Sequence, residues 1–187
     1  MRTTPSSLTL IGAVAVVGLA SCSTQQLQAV NSQMAAINQS MAAVTAPVGP
    51  PMPQPTAAQQ QQLLAQINQP QAQAQIQAAV QQAAPTIQKV VSFMACYPGW
   101  NPNRYLTQYF APGGSIDMAP PLKGMRYAPA GQCLDVVRMD NWQMPALNAL
   151  KFRVVYSSSV SGESATENMT FQREGASTWL LRSIAAY

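Results

Sequence analysis

Apolar residues along this chain follow three different periods in turn, and the changes of period divide it into segments. Leu8, Leu10, Ile11, Ala13, Val14, Val16, Val17 and Leu19 form a continuous apolar run behind the single basic residue Arg2. About a dozen residues are too few to span a bilayer, which takes roughly 20, but they match the core of a secretory signal. Leu27, Val30, Met34, Ile37, Met41 and Val44 then alternate spacings of three and four among Gln, Ala, Asn and Ser. That spacing predicts an amphipathic helix of about 20 residues, some 30 Å long, closed by Pro47. It reads as a lone helix lying on a membrane or another protein in preference to a parallel coiled coil. Its few heptads fall short of the three to four, with charges at e and g, that specify one.

Pro47, Pro50, Pro51, Pro53 and Pro55 follow, each lacking an amide donor and each forcing its predecessor extended, so an extended spacer is expected. The Gln-rich stretch AAQQQQLLAQINQ carries Leu63, Leu64 and Ile67 and reads as disorder or a transient helix ending at Pro70. Helical spacing then returns. Ile76, Val80, Ala83, Ile87, Val91 and Met94 predict a helix over about residues 73–96. Pro85 within it should kink it or split it in two. Asn101 followed by Pro102 reads as cap and first residue of a second short helix with Tyr105, Leu106, Tyr109 and Phe110 on its apolar side, stopped by Pro112, Gly113 and Gly114.

Beyond that point the period becomes that of strands. Cys133 to Trp142 is rich in Leu, Val and Met, and Leu150, Phe152, Val154 and Tyr156 alternate with Lys151, Arg153 and Ser157. Thr166 to Arg173 and Thr178 to Ala185 complete the set, with an extra strand near Ser115 to Met118. Turn residues at Pro145–Asn148, Ser161-Gly162 and Glu174-Gly175 suit hairpins. The expected class is α+β: an N-terminal helix packed on a curved antiparallel sheet of about four strands, preceded by a low-complexity stalk.

Charge sharpens this division. No charged residue lies between Arg2 and Lys89, in a chain of 187 residues with net charge +4. The boundaries expected are 1–21 for a signal peptide, 22–46 for the first helix, 47–72 for a Pro/Gln-rich linker and 73–187 for a globular domain. The basic residues are scattered without the clustered stripe of a nucleic-acid interface, so no nucleic-acid partner is expected.

The sequence Leu19-Ala20-Ser21-Cys22 closes the apolar run and resembles the lipobox of bacterial lipoproteins. That resemblance implies that Cys22 receives a diacylglycerol, that the preceding peptide is removed, and that the new N-terminus is acylated, palmitate being a usual chain. Several buried acyl chains would hold the protein on a bilayer, since two already suffice. Ser23 stands where inner-membrane retention in many such proteins calls for Asp, so the implied address is the outer membrane, facing the periplasm. Heptads just behind a lipidated cysteine also resemble the murein lipoproteins, and Leu27 to Val44 is a candidate homo-oligomer contact. Tyr187 stands where that family has its wall-linking lysine, so wall attachment is not carried over. With Cys22 assigned to lipid, Cys96 and Cys133 are the remaining pair and are expected to join in an oxidising periplasm, stabilising the domain by roughly 3 to 4 kcal/mol on the chain-entropy view.

A helix, a short helix, the stretch YLTQYFAPGGSID at Tyr105 to Asp117 and then a curved sheet resemble the NTF2-like or cystatin-like arrangement. Members of that group include enzymes, ligand binders and assembly subunits. The chain has no histidine, which removes Ser-His-Asp and Cys-His arrangements, the usual neutral proton shuttle and most zinc sites. No cofactor or metal is therefore expected. Asp117, Asp135 and Asp140 remain as candidate bases for an isomerase or hydrolase reading, and Trp100, Tyr109, Trp142 and Trp179 as candidate pocket or interface residues. The function expected is non-catalytic: a lipid-anchored binding or assembly module with an envelope-protein partner. A small apolar-ligand carrier and an NTF2-like enzyme are the alternatives.

Overall fold

The computed structural model describes residues 52–186. The signal peptide, Cys22, the helix expected over Leu27–Val44 and the first prolines of the spacer lie outside them. In chain order the elements are α1 (Ala57–Ile67), α2 (Ala74–Cys96), α3 (Asn103–Leu106) with a short 3-10 turn (Thr107–Tyr109), β1 (Phe110–Ile116), α4 (Pro121–Gly124), β2 (Asp135–Ala146), β3 (Ala149–Ser157), β4 (Ser164–Glu174) and β5 (Thr178–Ala186). The strands form one mixed sheet in the order β1-β5-β4-β3-β2. β2 to β5 make the expected antiparallel meander. β1 adds a fifth strand, parallel to β5.

Period-two alternation gives the sheet one apolar face. Leu150, Phe152, Val154 and Tyr156 on β3 pair with Phe171, Met169, Glu167 and Ala165 on β4, and all but Ala165 are buried. Trp179, Leu181 and Ile184 extend that face along β5. α2 covers it with Ile76, Val80, Ala83, Ile87, Val91 and Met94, packing across β5, β3 and β2. Burial of a Val, Leu, Ile or Met side chain contributes about 1.5–3 kcal/mol, so this helix is the main source of the domain's stability.

Pro85 does not end α2, whose single assigned span runs through it. Pro85 is exposed. The carbonyl it leaves unbonded one turn earlier belongs to the exposed Gln81, where water can satisfy it. The next helix starts one residue later than expected, with Pro102 at its cap position and no side-chain cap; Asn101 Oδ1 accepts from the Asn103 amide at 3.2 Å in the turn leading into it. Pro112, Gly113 and Gly114 fall inside β1 instead of closing the helix before it. Between Phe110↔Leu181 and Ser115↔Ser183, five residues of β1 answer two of β5, so this segment bulges out of the ladder. Gly113 has φ 70°, and a Cβ on Gly114 would meet the Leu181 carbonyl oxygen at 2.7 Å. The two glycines therefore belong to a close backbone approach.

The largest departure from expectation is α1, which falls in the stretch read as linker and as disorder or transient helix. It is a helix packed against β2. Leu63 and Ile67 are 2% and 1% exposed within the same core. Thr56 and Gln59 form a capping box, with the Gln59 amide donating to Thr56 Oγ1 at 3.2 Å and Gln59 Oε1 accepting from the Thr56 amide at 2.9 Å. Gln59 Nε2 also donates to the Cys133 carbonyl at 3.2 Å and to Asp135 Oδ1 at 2.8 Å. Two turns further on, Gln66 Oε1 accepts from the Met139 amide at 3.2 Å. β2 is an edge strand, and these amides cover donors and acceptors that an edge leaves open.

The expected disulfide is present. Cys96, the last residue of α2, bonds Cys133, two residues before β2, and both are buried. The Leu134 amide donates to the Ala95 carbonyl at 2.9 Å beside it. Replacing both cysteines by Ala is expected to lower stability by roughly 4 kcal/mol, since the bridge closes a loop of 37 residues. Urea unfolding of the oxidised protein, the reduced protein and the double variant will check this, the last two coinciding. Gln59→Glu keeps an acceptor for the Thr56 amide but removes both donor bonds and sets a second carboxylate against Asp135. It should cost about 1–3 kcal/mol in the same measurement, with Gln59→Ala costing less.

Candidate functional site

Of the carboxylates proposed as bases, Asp135 and Asp140 lie on β2 and Asp117 directly follows β1. Asp140 stands directly opposite Arg153 across β2 and β3. Arg153 donates from Nε to Oδ1 at 2.6 Å and from Nη2 to Oδ2 at 2.8 Å, and Arg138 Nε lies 2.9 Å from Oδ2. The bond from Arg153 holds this carboxyl below its usual value, with the charges of both arginines acting the same way against partial burial. A carboxylate clamped by a bidentate partner is a poor proton acceptor, so Asp140 is a cross-strand tie. Asp135 accepts from Gln59. Asp117 is exposed and accepts from Ser115 Oγ at 3.0 and 3.1 Å.

The four aromatic candidates do not share one pocket. Trp179 is buried beneath α2, with Nε1 donating to Gln82 Oε1 at 3.3 Å and the Arg173 guanidinium 5.8 Å from its ring. Trp142 stacks on Phe152 with centroids 4.4 Å apart, and Phe152 stacks in turn on Phe171 at 5.6 Å. Tyr109 lies beneath Lys89, whose Nζ is 5.6 Å from the ring centroid. Trp100 is 70% exposed and borders an open groove with Asn101, Pro102, Asn103, Ile116, Asp117 and Met118.

Glu167 was not among the sequence candidates. It sits on the apolar face of β4, opposite Val154 on one side and Ala186 on the other, and is fully buried. Neither carboxyl oxygen makes a well-aligned hydrogen bond, nor does the buried Tyr156 hydroxyl that adjoins it closely enough for the two to influence each other's ionisation. Burial raises the Glu167 pKa to about 8, against a smaller lowering effect of Tyr156, so the group is a neutral acid at pH 7. Burial likewise pushes the Tyr156 hydroxyl well up. A neutral carboxyl and a phenol side by side are two hydrogen-bond donors in an apolar setting. Their one sequence signal was a polar residue at an inward position of the alternation, Glu167 between Ala165 and Met169.

Among the described residues no helix is long and apolar enough to cross a membrane. No protein-family model, curated protein or solved structure matches the chain. The structure alone therefore sets what the site is.

A pH dependence follows from Glu167. Its folded pKa lies above the ordinary value, so its favourable contribution is complete below about pH 4.5 and is lost as pH rises through about 8. Stability should fall by about 3 to 5 kcal/mol across that window, and Glu167→Gln should flatten the profile. Urea unfolding at successive pH values reads both.

Proposed function

We propose that this chain is a bacterial lipoprotein, anchored through acyl chains on Cys22 to the periplasmic side of the outer membrane. Its folded domain serves there as a non-catalytic binding or assembly module of an envelope complex. The observation that carries this reading is the motif Leu19-Ala20-Ser21-Cys22 at the end of an apolar run of signal-peptide length. The buried Cys96–Cys133 bridge supports it, because such bonds persist in oxidising compartments. The same reading takes the domain as NTF2-like or cystatin-like, supported by one long helix laid over a four-strand meander with a bulged, parallel fifth strand.

A non-catalytic role is supported by the absence of histidine and by the engagement of Asp140 with two arginines and of Asp135 with Gln59. The small-ligand alternative is favoured by a separate observation, the adjoining Tyr156 hydroxyl and Glu167 carboxyl buried on the covered face of the sheet.

Lipidation has a direct test. Wild-type chain expressed with radiolabelled palmitate should incorporate label, lose residues 1–21 and fractionate with the membrane. Cys22→Ser should remain uncleaved and unlabelled. A Cys22→Ser chain that is processed and membrane-bound like the wild type overturns the anchor. For the domain, cross-linking in intact cells should give one recurrent envelope-protein adduct that disappears when residues 52–187 are deleted.

A further inference from the structure

The groove beside Trp100 is unusual in how firmly it is braced. Tyr97 donates its hydroxyl to the Asn101 carbonyl at 2.8 Å, tying the end of α2 to the loop that carries Trp100. Gly99 passes so close over the Tyr97 ring that an added Cβ would lie 2.4 Å from the hydroxyl oxygen, and Tyr97 is itself stacked on Phe93 at 4.9 Å. On the opposite wall the Asn103 side chain bonds Ile116 twice, Nδ2 to its carbonyl and Oδ1 from its amide, both at 2.9 Å. Pro102 between them is buried. A large indole is thus held out in solvent on a loop that has little freedom to lose on binding.

The groups around it narrow the ligand. Asn103 consumes the backbone donor and acceptor of Ile116, so an extended peptide finds no open strand edge there. Asp117 opposes a phosphate chain. One bifurcated bond from the Ser115 hydroxyl leaves that carboxylate further acceptor positions, and Asn101 keeps its amide NH2. Lys123 holds its ammonium 5.2 Å from the Trp100 centroid. A ring face that attracts a cation also attracts the weakly positive C–H face of a pyranose.

The geometry points to a saccharide site: Trp100 stacks against the flat C–H face of a pyranose, while Asp117 and the Asn101 amide bond its hydroxyls. This inference rests on reading the domain as a binding module, and it is independent of the lipid anchor. Failure of Cys22 lipidation leaves it standing, and an inert groove leaves the anchor standing.

The test is saturation-transfer NMR on the full chain in a detergent without sugar headgroups, titrated with chitotriose and with cellotriose up to about 10 mM, where a single stacking site saturates. The expected result is transfer to pyranose C–H protons with a saturable profile. Trp100→Ala, whose Tm should match the wild type because the side chain is solvent-exposed, weakens binding at least about tenfold. Asp117→Asn weakens it about threefold or more, close to 0.7 kcal/mol. No transfer from either trisaccharide, or unchanged affinity in either variant, overturns the site.

Discussion

One apolar face of a twisted sheet must be hidden from water, and a single long helix is what hides it. The other elements of the described domain answer to that requirement. α2 reaches across β5, β3 and β2, and its C-terminal end is fixed to the entry of β2 by the Cys96–Cys133 bond and by the Leu134 amide, which donates to the Ala95 carbonyl. The bond sets the helix over the sheet at the end where the strand begins. The other edge of the same requirement is met by α1. β2 would otherwise expose its ladder groups to solvent; Gln66 takes the Met139 amide, and Gln59 bonds the Cys133 carbonyl just before the strand and the Asp135 side chain, while Leu63 and Ile67 extend the core beneath.

β2 itself is shaped to this task. Its twelve residues oppose nine on β3, and the register slips at three places. Val136, Met139 and Trp142 consequently turn inward three apart where a regular strand would have them two apart, and Met144 then resumes the spacing of two. Asn141, at φ 57°, sits in one of these slips, a conformation Asn tolerates better than most residues. Trp142 is thereby turned onto Phe152. Extra residues on an edge strand also increase its twist, so the curvature that lets one helix cover the sheet is partly made here.

These slips explain which parts of the fold were legible. β3 alternates except at the buried Val155 and pairs with β4 residue by residue over its whole length, and its period was plain in the sequence. β2 showed only apolar richness, because bulges replace a period of two by one of three. β1 was half visible for the same reason: Pro112 and Gly113 read as a helix stop, and the bulge they form depends on the approach of β5, which no local pattern records. The site was less legible than the fold. Trp100 was a candidate by residue type alone; its exposure follows from Tyr97, Gly99 and Asn103, which brace the loop from three separate positions. Glu167 was hidden by the opposite logic, as one carboxyl in a strand whose buried face is otherwise set by Met169 and Phe171.

α1 exposes a physical gap in arguing order from composition. Low charge, low aromatic content and many glutamines predict a segment that cannot bury enough surface to offset its ordering entropy. That argument treats a segment as if it had to supply its own core. α1 borrows one, placing Leu63 and Ile67 into apolar surface already assembled by α2 and the sheet. Its glutamines then do what charged residues do poorly at a partly buried edge. An amide carries a donor and an acceptor at no cost in desolvated charge, and Gln59 uses both, accepting from Thr56 while donating to Cys133 and Asp135. Thr56 three residues before Gln59 was the local sign of a helix start, and it carries more weight than the tract of glutamines that surrounds it.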